Sequence, residues 1–190
     1  MKRIVPTTLL ALLATPALAH PGHGATGLAA GLVHPLWGAD HLLAMLAVGL
    51  WSGFVLPRRV WAGAAAFLTA MSAGAGLSWA GFGLPGVEGL TLASVVAFGL
   101  MVLVSRRGQA PVVTAASLAA IAGFALAHGY AHASETAGQV GTYLGGFLIS
   151  TAALHLAGIG LARIAAGRPF VQRALGASLM GSGLLLAALG

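Results

Sequence analysis

Val87-Glu88-Gly89-Leu90-Thr91-Leu92-Ala93-Ser94-Val95-Val96-Ala97-Phe98-Gly99-Leu100-Met101-Val102-Leu103-Val104 contains a single charged residue, near its start. Leu84-Pro85-Gly86 precedes it and Arg106-Arg107-Gly108 follows. The run has no period-two alternation, so it reads as a helix rather than a strand. At about 1.5 Å per residue such a helix is nearly as long as the hydrocarbon layer is thick. Its apolar character extends around the whole circumference, so it belongs in a protein core or in lipid. Composition decides between these. The chain of 190 residues is 58% apolar and only 6% charged, against about a quarter charged in an ordinary soluble domain. Too few charges remain to build a soluble surface, and lipid must be the solvent.

Working outward, five further segments share these properties, giving 28–50, 60–80, 87–104, 111–131, 138–161 and 171–189. Their breaks are Pro57-Arg58-Arg59, Leu84-Pro85-Gly86, Arg106-Arg107-Gly108, Ser134 to Gly138 and Gly167-Arg168-Pro169. The expectation is an all-α membrane protein with about six transmembrane helices. Glycine, with 29 residues, would weaken helices in water but lets helix backbones approach closely in a bilayer. Gly27 with Gly31, and Gly141 with Gly145, have the small-xxx-small spacing.

Residues 1–19 read as a cleaved signal peptide. Lys2-Arg3 is the basic region, Thr7 to Thr15 holds the apolar core, and Ala17-Leu18-Ala19 is the cleavage motif. The alternative, an uncleaved first span, suffers from a short apolar run and from Pro16 within it. The domain division is therefore signal peptide 1–19 and membrane domain 20–190. The remaining basic residues are Arg58, Arg59, Arg106, Arg107, Arg163, Arg168 and Arg173. All fall in or beside the first, third and fifth connections, which the positive-inside rule makes cytoplasmic. An exported N-terminus and an even number of spans place both mature termini in the periplasm of an inner-membrane protein. The basic pI of about 11.5 is thus a topology signal, and no continuous basic patch exists for nucleic acid.

Chemistry rests on very few residues. Cysteine is absent, which excludes disulfides, iron–sulfur clusters and thiolate sites. Seven histidines and three acids remain, and an ionisable group inside a membrane span is a functional candidate by its cost. The first cluster is His34, Asp40 and His41, with Met45 one turn beyond. On a straight helix His34 and His41 lie within about 20° of one face, and His41 sits about 20 Å deep. Pro35 and Gly38 should loosen the helix there. The second cluster is His128, His132 and Glu135, whose spacing lets all three share a face. Glu88 opens the third segment on the same side. Two imidazoles with a carboxylate suit a borderline divalent ion such as nickel, cobalt or zinc. His155 falls deeper towards the cytoplasm and stands alone, so it reads as a packing residue, with an exit ligand as the alternative. His20 and His23, at the mature N-terminus, are weaker metal candidates, since Pro21 blocks successive backbone-nitrogen ligation. Trp37, Trp51, Trp61 and Trp79 fit an interfacial aromatic belt.

The stretch His34-Pro35-Leu36-Trp37-Gly38-Ala39-Asp40-His41-Leu42-Leu43-Ala44-Met45-Leu46-Ala47-Val48-Gly49-Leu50 resembles the signature of the HupE/UreJ family of nickel and cobalt permeases. Phe124-Ala125-Leu126-Ala127-His128-Gly129-Tyr130-Ala131-His132-Ala133-Ser134-Glu135 is a second family-like block. The resemblance implies uptake of Ni²⁺ or Co²⁺ as transported ions, with no permanently bound cofactor, to supply hydrogenase or urease. It assigns metal handling to His34, Asp40, His41, His128, His132, Glu135 and Glu88. The residues alone leave two other classes open. One is a metal-dependent membrane enzyme, although neither H-E-x-x-H nor G-x-S-x-G occurs. The other is a haem protein with bis-histidine ligation. No P-loop is present, and homo-oligomerisation stays open.

Overall fold

The computed structural model describes residues 27–136 and 140–189, apart from the side chain of Glu135. The expected signal peptide over 1–19, and His20 and His23, lie outside the described residues. Seven helices and no strand occur among those described: α1 Gly27–Trp37, α2 Ala39–Val55, α3 Ala62–Trp79, α4 Val87–Val104, α5 Pro111–Glu135, α6 Val140–Ile164 and α7 Pro169–Leu189. The α4, α5, α6 and α7 helices are each long and apolar enough to cross a membrane. The bent pair α1–α2 makes a fifth candidate. The α3 helix is as long as α4, but glycine, serine and threonine dilute its apolar character.

The expected single helix over 28–50 is replaced by two helices meeting at 82°. The cause is local. Pro35 has no amide proton to bond back along α1, and Gly38 adopts an extended conformation (φ −79°, ψ 113°) that ends one helix and caps the next. A depth for His41 based on straight-helix rise therefore does not hold. The other boundaries fall within a few residues of expectation, and α4 coincides with it.

Polar and apolar residues are distributed inside out. Val112, Leu156, Ile164, Phe170 and Leu189 are exposed, whereas His41, Ser94, His128, His132, Thr151 and His155 are buried. Trp37, Trp61 and Trp79 are exposed, as a belt requires. Trp51 is not. It is fully buried, and its indole N–H donates to Ser105 Oγ at 3.1 Å.

Backbone contact at glycine sets the helix pairing. A Cβ at Gly74 would strike the Leu126 carbonyl, and one at Gly129 the Met71 carbonyl, so α3 and α5 lock reciprocally. Gly49 and Gly158 do the same for α2 and α6, Gly31 and Gly146 for α1 and α6, and Gly99 and Gly176 for α4 and α7. Of the two motifs singled out by spacing, only Gly31 takes part; Gly141 has open space and Gly145 only brushes Leu28. The central α2 helix runs parallel to α6, since Gly49 faces His155 and Gly53 faces Ala162. Trp51 ties the end of α2 to Ser105, and Gln172 Nε2 donates to the carbonyls of Val102 and Ser105 at 2.9 and 2.7 Å. The arginine-bearing connections thereby gather at one end of the bundle.

Candidate metal centre

The start of α2, the end of α5 and the middle of α4 converge away from the arginines. Helical spacing places His128 and His132 on one face of α5, and the bend at Gly38 turns His41 toward them. The ring centres lie 4.2 Å apart for His41 and His132, and 4.8 Å for His41 and His128. One nitrogen from each of His41, His128 and His132 falls within 4.8 Å of the others. Imidazole nitrogens on one ion at about 2.0–2.1 Å from it are roughly 3–4 Å apart, so small ring rotations suffice for a single ion. All three residues are buried.

Neighbouring acceptors fix which nitrogen of each ring carries its proton. The Asp40 carboxylate lies 2.8 Å from His41 Nδ1. A carboxylate accepts, so Nδ1 carries the hydrogen and Nε2 presents the lone pair, facing His132 Nε2. This carboxylate–histidine arrangement is the usual outer support of a metal ligand. Ser94 supplies the counterpart for His128. Its hydroxyl donates to the Thr91 carbonyl at 2.6 Å and lies 2.8 Å from His128 Nε2. A hydroxyl has one hydrogen, so Ser94 must accept from His128 Nε2–H. His128 Nδ1 is then the basic nitrogen, and it is buried without a hydrogen-bond partner.

Several residues surround this core. The His34 ring packs edge-on against His132 at 4.6 Å, next to Tyr143 and Phe147, and is half-buried. Phe147 lies 4.4 Å from the His132 ring. The described cavity beside His132, lined by Trp79, Tyr143 and Phe147, is only about 10 Å³, too small for a hydrated ion.

Not every predicted residue joins. Glu88 is exposed in the first turn of α4 and is not part of the cluster. Met45 is buried in the apolar core, where its carbonyl receives the bond from His155 Nδ1 at 2.7 Å. Glu135 ends α5. Ser94 was invisible in the sequence, because a serine within an apolar helix ordinarily bonds its own backbone.

A family model described as HupE / UreJ protein matches residues 8–186. The chain belongs to the HupE/UreJ family. Protein HupE of Rhizobium leguminosarum bv. viciae is 40% identical to this family member over 194 residues, covering 98% of this chain and 100% of that protein. No solved structure matches the chain. Family and apolar helices together make it a multi-pass membrane protein, and the three histidines form a buried polar cluster among the described residues.

Proposed function

We propose that this HupE/UreJ protein takes up Ni²⁺ or Co²⁺ across the inner membrane, with His41, His128 and His132 as the central ligands. The observation that carries the reading is three buried imidazoles, two of them with tautomers set by Asp40 and Ser94, in an interior otherwise nearly free of charge. Neutral nitrogen donors suit nickel and cobalt better than hard cations such as Mg²⁺ or Ca²⁺. His34 stands beside the cluster as a capture ligand, and Asp40 supplies charge as well as orientation. Glu88 and Glu135 are entry carboxylates in this reading, and His20 and His23 an outer binding tail.

The orientation follows from charge. With the arginine-bearing end cytoplasmic, the histidine cluster lies toward the periplasm and receives ions from outside. Six spans after cleavage at Ala19, with both termini periplasmic, fit the parallel course of α2 and α6. Supply of a hydrogenase or urease is the physiological role the family implies. Bis-histidine haem ligation has little support, since edge-to-face rings this close leave no plane for a porphyrin between them.

The test is uptake of radiolabelled Ni²⁺ and Co²⁺, each with the other as competitor, in cells lacking their own importers. Expression should produce saturable uptake, and His41→Ala, His128→Ala and His132→Ala should each abolish it at near-normal membrane abundance. If such cells expressing the wild-type protein accumulate neither ion, the proposal is refuted.

A further inference from the structure

His155 and Thr151 lie one turn apart on α6, and the uptake chemistry described so far uses neither. Both are fully buried. His155 Nδ1 lies 2.7 Å from the Met45 carbonyl. A carbonyl only accepts, so Nδ1 holds the hydrogen and Nε2 carries the lone pair. That Nε2 is buried with no hydrogen-bond partner, as is Thr151 Oγ1. A histidine needed only to tie α6 to α2 would do so through Nδ1, and an asparagine would serve as well. The basic Nε2 is surplus to that task and unfavourable in an apolar interior.

The arrangement repeats that of His41: Nδ1–H held by an oxygen acceptor, Nε2 left basic. Outer support of this kind orients imidazoles that bind metals. Location adds a second argument. Phe67 touches both centres, its ring 5.6 Å from His128 and 5.0 Å from His155. His155 is thus one aromatic ring away from the three-histidine cluster. It is also further along α6 toward Arg163 and the arginine-bearing end.

We propose that His155 Nε2, with Thr151 Oγ1, is a second cation station, which accepts the divalent ion from the His41–His128–His132 cluster across Phe67. This rests on the uptake reading above. A single imidazole and a hydroxyl bind more weakly than three imidazoles, as a transfer site must if the ion is to leave.

Two variants separate a ligand from a packing residue. In His155→Asn, the side-chain amide can keep the bond to the Met45 carbonyl while nothing replaces Nε2. In Thr151→Val, shape is kept and the hydroxyl is lost. For each, Ni²⁺ affinity of the purified protein should stay within about twofold of wild type, while the maximal Ni²⁺ uptake rate per molecule in the membrane falls roughly tenfold. His155→Gln, which returns an oxygen near the Nε2 position, should recover part of the rate. A purely structural role makes the opposite prediction for Thr151→Val: a more stable protein with unchanged transport. Wild-type rates in Thr151→Val and in His155→Asn overturn the station while leaving the uptake reading intact. Should asparagine at 155 lower abundance, Thr151→Val alone decides by the same criterion. Absence of uptake by wild type overturns both.

Discussion

Removing one hydroxyl at Ser94 should weaken metal binding at a histidine that the substitution does not touch. Ser94 accepts the hydrogen of His128 Nε2 because its own hydrogen is committed to Thr91. In Ser94→Ala the buried Nε2–H loses its acceptor, nothing then favours the tautomer that leaves Nδ1 basic, and the metal-free ring gains by rotating away from the orientation that presents Nδ1. An unsatisfied buried donor costs about 1–3 kcal/mol. At about 1.4 kcal/mol per tenfold, competition on that scale raises the Kd for Ni²⁺ roughly 5- to 150-fold. Loss of the outer partner of a metal-binding histidine typically costs about 10- to 100-fold in affinity, the same range. The measurement is Ni²⁺ titration of detergent-purified protein by calorimetry, alongside the KM for uptake. Both should rise together, with membrane abundance near that of wild type. If Ser94→Ala binds Ni²⁺ as tightly as wild type while His128→Ala does not, Nδ1 is not the donor and the tautomer argument fails.

Two other outcomes follow from the same geometry. Imidazole binds metal only when neutral, and its ordinary pKa is about 6.5. Uptake at subsaturating Ni²⁺ should therefore fall as external pH is lowered, and saturating Ni²⁺ should restore much of it. Uptake that rises on acidification would contradict ligand competition and point to inward proton coupling. Separately, Gly129→Ala drives a methyl group into the Met71 carbonyl, and overpacking of this kind costs about 1–3 kcal/mol. Its melting temperature in detergent should drop, whereas Gly123→Ala, with open space at its Cβ, should melt like wild type; equal melting of the two would discount the helix lock.

The sequence carried much of this because membrane residence restricts where charge can sit. Near-absence of charge made the breaks between the apolar segments readable from the next proline, glycine or arginine, and α4 coincides with its expected bounds. His128 and His132 followed from helical spacing on an unbroken helix. His41 did not follow in the same way. On a straight helix it would share a face with His34, yet the ring reaches the cluster because the helix is interrupted at Gly38. Pro35 and Gly38 signalled weakness there, but the size of the turn depends on packing against α6. Glu88 looked equivalent to the other acids by spacing, but its exposure is a tertiary property. Glycine was least legible. Its abundance concealed which residues make interhelical contact, since that depends on partners distant in the chain. His155, isolated in sequence, has neighbours only because Gly49 lets α6 lie directly on α2.

The glycine contacts also determine which motions are available. Backbone pressed against backbone leaves α3 and α5 unable to slide past each other, and likewise α2 with α6 and α4 with α7. The bundle is mechanically three paired struts, with freer seams between them. His41 belongs to the α2–α6 strut, to which α1 is fastened through Gly31 and Gly146, His128 and His132 to the α3–α5 strut, and Ser94 to the α4–α7 strut. A slight tilt of one strut against another changes the spacing of the three imidazoles while every strut stays internally intact. The geometry of the cluster is thereby geared to the relative angle of whole helix pairs.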